Sequence, residues 1–381
     1  TFIQAKTTIG RGSSVAGTPR AHGLGIDASE LTRLANEYSS DRGIDLWNDF
    51  ADVNARPTAM PAWPVPDLSD VTMTDDIGTE ISTRELSGKF VERMLSAGAN
   101  LIGGSADLGS STNVKTHAVR EISPGEFIGN YINYGVREHA MGAIMNGLAA
   151  AGMRPFGGTF LAFSDYMRPS IRLAALSGLP VVYVFTHDSV AVGEDGPTHQ
   201  PVEQLPALRL IPNMNVFRPC NGVEVAAAWT FALSDTSRPS CIVLSRQPVR
   251  PGATPVDADL SRGAYIIHRA TARRVNVTIL TTGSEVPLSI DVAEKLGPDV
   301  QVVSVLDVAT FRDAPDEYRR EMLRGYVVAI EAAATSPWFE FADAVVGIDE
   351  FGASGDGASV YRRCGFDADT IADQIRRGMK R

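Results

Sequence analysis

The chain has 381 residues and a formal net charge of −10, from 35 basic against 45 acidic side chains. A length of two to three ordinary domains can bury large cores without staples. A chain this acidic is a poor nucleic-acid binder, because neutralising a phosphate backbone needs clustered Lys and Arg; a local basic pocket for a small anion remains compatible with it. Cys220, Cys241 and Cys364 lie far apart, with neither CxxC nor zinc spacing. That usage reads as a reducing, cytoplasmic compartment. No apolar run approaches the ~18 residues of a membrane span, and no secretory leader is visible. The sequence opens Thr1-Phe2-Ile3 as though in mid-strand and without Met, so either the start was processed away or the chain is part of something longer.

In chain order, residues 2–9 read as a strand running into a loop of small residues to about 26. Asp27-Ala28-Ser29-Glu30 then opens a helix with Leu31, Leu34 and Ala35 on one face. Pro57, Pro61, Pro64 and Pro66 exclude helix and central strand and mark a linker. Ser82 and Glu85 form a capping box ahead of a buried stripe, Leu86, Phe90, Val91 and Met94. Helices at 135–151, 162–176 and 222–234 alternate with strands at 100–102, 181–185 and 241–244. Continuous apolar strands between helices predict a parallel sheet covered on both faces. A second linker runs through Pro248, Pro251, Gly252 and Pro255. Beyond it, strands at 275–280, 300–305 and 326–330 alternate with helices from Val286, near 317–323 and at 371–379, a smaller α/β domain.

In an open α/β sheet, ligands sit at the carboxyl ends of strands. Four loops there hold polar and glycine residues. The first, 103–111, contains Asp107, Leu108 and Ser111; it reads as a polar ligand loop or as a plain turn. The second, 133–141, places Glu138 in an otherwise apolar helix. Either Glu138 faces solvent, the usual case, or it is buried with a raised pKa and a task. The third, 156–166, carries Phe160, Phe163 and Tyr166 every third residue behind paired glycines. Such a stripe is ordinarily core, and the glycines are the one hint of close approach by a ligand. The fourth, 186–201, holds His187 and His199 with Asp188, Glu194 and Asp195 and little that can pack, which reads as functional. No HxH or HExxH spacing supports a metal there.

Taken together, NYGVREHAM, FGGTFLAFSDYMRPSIRLAALS, THDSVAVGEDGPTHQPVEQLPALRLIPNMNVFRP and LSRQ closely resemble the transketolase family, as do GGSADL and KTTIGRGSSVAGTPRAHG. The resemblance implies two parallel-sheet, three-layer α/β domains: a pyrimidine-binding domain at 67–250 and a C-terminal domain at 251–381. The tail of a diphosphate-binding domain precedes them at 1–66. It implies transfer of a two-carbon ketol unit from a ketose phosphate to an aldose phosphate with thiamine diphosphate. Mg²⁺ or Ca²⁺ would be bound through the domain this chain lacks, since Gly355-Asp356-Gly357 stands in the wrong context for that metal motif. The chain is therefore expected to be incomplete, a fragment rather than half of a split enzyme, and inactive alone.

By the same resemblance Glu138 hydrogen-bonds N1′ of the aminopyrimidine, which requires a buried carboxylic acid. Phe160, Phe163 and Tyr166 surround that ring, and Asp107 and Leu108 lie near the cofactor. Arg84, Ser111, His187 and Arg246 bind substrate phosphate, a task suited to the guanidinium fork. Asp195 and His199 contact the donor ketose, and His22 is a proton carrier. The partners implied are sugar phosphates and a second copy or a complementary diphosphate-binding chain, with no nucleic acid and no membrane. Two competing readings stand beside this one. One is a related thiamine enzyme, such as dihydroxyacetone synthase or deoxyxylulose-phosphate synthase; the other is a silent dimerisation or regulatory module.

Overall fold

The structure, a computed structural model, describes residues 8–18, 21, 27–38, 80–250 and 254–380. The Pro-rich linker at 57–66 and His22 lie outside these residues, as does most of the strand expected at 2–9. The chain divides into two compact units, 1–62 and 63–381. In the first, α1 (Ala28–Tyr38) opens where the sequence predicts. Asp27 Oδ1 accepts from the Glu30 N–H at 2.8 Å and satisfies a donor of the first turn.

The second unit begins with α2 (Thr83–Ser96), whose capping box forms in full: Glu85 N–H donates to Ser82 Oγ, and the Glu85 carboxylate accepts from Ser82 N–H. The chain continues through β1 (Gly103–Ser105), β2 (Tyr131–Asn133), α3 (Glu138–Ala150), β3 (Phe156–Phe160), α4 (Ser164–Ser177) and β4 (Val182–Thr186). It then passes through α5 (Gln204–Arg209), β5 (Asn215–Phe217), α6 (Gly222–Ser234) and β6 (Ser240–Leu244). Helix α3 starts at Glu138 and not at 135, because Gly135 (φ 67°) and Arg137 (φ −151°) are not helical. The six strands form one parallel sheet in the order β2-β1-β3-β4-β6-β5.

Side chains of a strand alternate between faces. Val182, Val184, Ile242 and Leu244 therefore join α2 and α6 in one core layer. Tyr183, Phe185, Cys241 and Val243 join Met141, Met145, Met167 and Ile171 of α3 and α4 in the other. Trp229 anchors the first layer, edge-on to Phe156 at 5.8 Å, with its Nε1–H donated to Ser87 Oγ at 2.9 Å.

A second sheet follows, built from β7 (Ala264–His268), β8 (Val277–Thr281), β9 (Val300–Val305), β10 (Tyr326–Ile330) and β11 (Ala344–Val346) in the order β11-β10-β8-β9-β7. Four strands run parallel, and β7 pairs antiparallel with β9 at the edge, so the sheet is mostly parallel. Helices α7 (Val286–Leu296), α8 (Val308–Asp313), α9 (Asp316–Met322), α10 (Gly357–Arg363) and α11 (Ala368–Gly378) complete the domain. Ile279, Val302 and Ile330 pack on α7 and α11; Leu280, Val303 and Val305 face Phe311, Met322 and Trp338. Among the described residues no helix is long and apolar enough to cross a membrane.

Candidate active site

In the first sheet β1 leads outward to β2, and the chain then crosses to β3 on the other side of β1. The carboxyl ends of β1 and β3 thus flank a topological switch point, where open α/β sheets bind ligands. Ser105 Oγ ties the two strand ends together, donating to Gly158 O at 2.9 Å.

Phe160 ends β3, Phe163 closes a 3₁₀ turn over Leu161–Phe163, and Tyr166 lies in α4. The stripe predicted for one α-helical face is instead produced by the 3₁₀ turn, whose period of three aligns such residues. Phe160 and Phe163 stack with centroids 5.8 Å apart, and Tyr166 lies 6.0 Å from Phe163. His187, directly after β4, stacks on Phe160 at 3.6 Å, and His199 stands edge-on to Phe163 at 5.1 Å. The structure therefore gathers Phe160, Phe163, Tyr166, His187 and His199 into one aromatic box. Tyr166 is 66% exposed, so the box has an open side.

His187 is buried, with φ 61°, a conformation that non-glycine residues seldom adopt. Its Nδ1 pairs with Thr186 Oγ1 at 2.9 Å. Burial, with Arg84, Arg246 and His199 close by, pushes its pKa down to about 3, so the imidazole is neutral at pH 7. Burial, reinforced by Arg246, also pulls Arg84 down. Arg84 Nη1 donates to Ser111 O at 2.8 Å, while its buried Nε has no partner. Among the described residues no carboxylate pairs with Arg84 or Arg246. Two guanidiniums and a histidine thus converge without an anion, a donor set that fits phosphate.

Glu138 opens α3 and is 8% exposed, so the residue does not face solvent. Its carboxylate makes no hydrogen bond or ion pair with any described residue. Leu108 N–H donates to Ser105 Oγ at 3.0 Å; the neighbouring Asp107 is exposed and left-handed (φ 65°). Asp195 is exposed on the 193–196 turn, whose Gly193 and Gly196 have φ 91° and 77°. No ring contact, hydrogen bond or ion pair joins Glu138, Asp107 or Asp195 to the aromatic box. Among the described residues no three His, Cys, Asp or Glu side chains converge as a cation site.

The glycines of the first and third loops have a different cause from the one expected. A Cβ on Gly157 would strike Met145 Sδ, and one on Gly158 would lie 2.8 Å from Thr112 Oγ1 and Val114. Those on Gly103 and Gly104 would enter the Phe156 and Tyr134 rings. These glycines admit the protein's own side chains; they are not signs of a ligand.

One cluster was missed in the sequence. Arg218, fully buried, donates to Asp188 Oδ2 from Nη2 at 2.7 Å and from Nε at 3.1 Å, and pairs with Glu285. Glu331 lies 3.5 Å from Arg218, accepts a two-pronged bond from Arg209 at 2.7 and 2.8 Å, and accepts from Trp338 Nε1 at 2.6 Å. Burial works against the Arg218 charge, but Glu285, Asp188 and Glu331 outweigh it and hold the guanidinium protonated. The available signal was a charged residue shortly after an apolar strand, repeated at Asp188, Arg218, Glu285 and Glu331.

The family profile of the transketolase pyrimidine-binding domain matches residues 79–251, and that of the transketolase-like C-terminal domain matches 263–367. The chain is 38% identical to a transketolase of Physarum polycephalum over 97% of its own length and 62% of the relative's. The chain belongs to the transketolase family. Its fold superposes on transketolase from Leishmania mexicana with a TM-score of 0.82 at 34% identity, covering 98% of this chain and 61% of that one. A Pichia stipitis transketolase described in complex with sedoheptulose-7-phosphate gives a TM-score of 0.80 at 30% identity, covering 97% and 61%. The chain thus spans roughly three-fifths of the length of the transketolases it matches.

Transketolases use thiamine diphosphate, and the residues present fit the pyrimidine half of that cofactor. Glu138 is a buried residue whose carboxylate is left without a protein partner, suited to a protonatable ring nitrogen. The box offers half-buried aromatic faces to a planar ring.

Proposed function

We propose that this chain supplies the pyrimidine-binding side of a transketolase site, which moves a two-carbon ketol unit from a ketose phosphate to an aldose phosphate. The observation that carries the proposal is Glu138, a buried residue at the start of an apolar helix whose carboxylate has no protein partner. Residues 1–66, 67–250 and 251–381 are read as the tail of a diphosphate-binding domain, the pyrimidine-binding domain and the C-terminal domain.

Bound thiamine diphosphate supplies the carbon that holds the two-carbon unit between donor and acceptor. Glu138 shares a proton with N1′ of the aminopyrimidine, a role open to a carboxyl group and closed to an amide. Phe160, Phe163 and Tyr166 hold the ring and keep water from it, with Phe163 stacking; Asp107 and Leu108 lie alongside. Arg84, Arg246, Ser111 and the neutral His187 bind the substrate phosphate. Asp195 and His199 orient the hydroxyl and carbonyl end of the donor, and a proton-carrier role is read for His22 from the family resemblance alone.

The diphosphate and its divalent cation fall to a diphosphate-binding domain outside the matched regions. In support, Asp356 of the Gly355-Asp356-Gly357 triplet caps α10, accepting from Ser359 N–H at 3.0 Å. The cofactor site is completed by a second copy or by a separate chain. Exposed apolar side chains at Val136, on α3 (Ile144) and along α4 (Tyr166, Leu173 and Leu176) support such an interface. A cytoplasmic setting in sugar-phosphate metabolism follows from those substrates.

The test is an assay of ketol transfer from a pentulose phosphate to a pentose phosphate. It compares the 381-residue chain alone with the chain plus a transketolase diphosphate-binding domain. Transfer is expected only in the second case. Turnover by the chain alone, or no turnover in the mixture under conditions where cofactor binds, would overturn the proposal.

A further inference from the structure

The strained backbone at His187 requires an external cause, because a left-handed non-glycine residue persists only where its surroundings over-determine it. The stack on Phe160 holds the ring. The backbone that follows is held from the second domain. Ser284 Oγ lies 3.1 Å from Asp188 Oδ2 and 2.6 Å from Glu285 Oε1, Tyr361 meets Ser189 Oγ at 2.9 Å, and Ser354 Oγ donates to Glu194 O at 2.8 Å. Gln200 Nε2 bridges Val190 O and Ala353 O, each at 2.9 Å.

Tyr361 closes these contacts into a ring. Its hydroxyl lies 2.8 Å from Glu285 Oε1 and 2.9 Å from Ser189 Oγ. Glu285 accepts from Arg218 and from the Ala332 N–H, so the Tyr361 O–H is donated to Glu285. The same hydroxyl also reaches Ser189 Oγ at 2.9 Å, so its one proton is shared between Glu285 and Ser189. Arg218 returns from Glu285 to Asp188. Asp188 and Ser189, the two residues after His187, are thus bracketed by one buried circuit whose far side is the second sheet. A buried ionic cluster is weak evidence of stability, since apolar residues of similar volume stabilise as well. What this one does supply is a single backbone path.

We infer that the C-terminal domain is a clamp that sets the position of His187, with Tyr361 as its positioning residue. The inference rests on the proposed phosphate role of His187, but its test separates the two. Tyr361→Phe removes one oxygen and keeps the ring. In the full chain, the imidazole protons of His187 carry the ring-current shift of Phe160, and those of His199 report on Phe163. In Tyr361→Phe the His187 shift is expected to move toward its ordinary value while the His199 shift stays. Affinity for inorganic phosphate is expected to fall by up to about tenfold, the upper bound set by the net worth of the one hydrogen bond that holds the clamp.

Ser189→Ala opens the same circuit from the other side, and the double variant is expected to be no worse than either single one. An unmoved His187 shift in both variants, or strictly additive losses, would overturn the clamp. If Tyr361→Phe fails to fold, Ser189→Ala decides by the same His187 readout. A wild-type chain that binds no phosphate would remove the phosphate role, while the His187 shift would still decide the clamp.

Discussion

His187 offers the most quantitative test of the site's electrostatics. An exposed histidine titrates near 6.5, and in the fold this one is held down to about 3 by burial and by Arg84, Arg246 and His199. Below pH 6.5 the unfolded chain therefore binds a proton that the folded chain refuses. A depressed histidine thus costs stability as pH falls through the window between the two values. Between about pH 7.5 and 5 that cost is about 2 kcal/mol. The assay is ¹³C NMR of the imidazoles across a pH series, with His187→Gln assigning the resonance among six histidines. The His187 signal is expected to stay neutral to below about pH 4. Saturating inorganic phosphate should pull its midpoint upward, because the bound anion opposes the two guanidiniums. A midpoint near 6, unmoved by phosphate, would refute both the burial and the cation cluster.

Two further outcomes are expected. Arg218→Met leaves Asp188 and Glu285 buried without their cation, and should cost about 3–5 kcal/mol in urea unfolding, with partial recovery at low pH as the carboxylates protonate; a loss below ~1 kcal/mol would mean that the cluster is hydrated. Phe163→Ala in the assembled enzyme should weaken thiamine diphosphate by roughly 0.5–1.5 kcal/mol, measured by calorimetry, with the sugar-phosphate KM little changed. An unaltered cofactor affinity would remove the stacking role.

Elements with their signals close together in sequence were legible. The capping box at Ser82 and Glu85 and the stripe behind it formed as read, and so did the core strands β4, β6 and β9. Strands β2 and β5 were not, because three residues such as Asn215–Phe217 carry no periodicity; the strand read at 100–102 forms three residues later as β1, and β3 lay in what read as a loop. The edge strand β7 runs antiparallel with an irregular register between Ile266 and His268, which a strand-helix-strand pattern does not foretell.

At the site, the aromatic box and His187 stood in the recognisable strings. The burial of Glu138 was ambiguous until its helix was placed. The paired glycines misled, since an absent side chain does not say what fills the space. The Arg218 cluster was illegible for a plain reason: its members lie 30, 67 and 113 residues from Arg218 along the chain. Only the meeting of the two sheets brings them together.

The most direct measurement of the proposed role of Glu138 is hydrogen–deuterium exchange at C2 of thiamine diphosphate. It is made with this chain completed by a diphosphate-binding domain, as wild type and as Glu138→Gln. Glutamine keeps the shape and removes the shared proton, so exchange is expected to slow by about 10²–10⁴-fold, the usual worth of a positioned proton-transfer group, with cofactor still bound. Exchange in Glu138→Gln at the wild-type rate would contradict the assignment of this site.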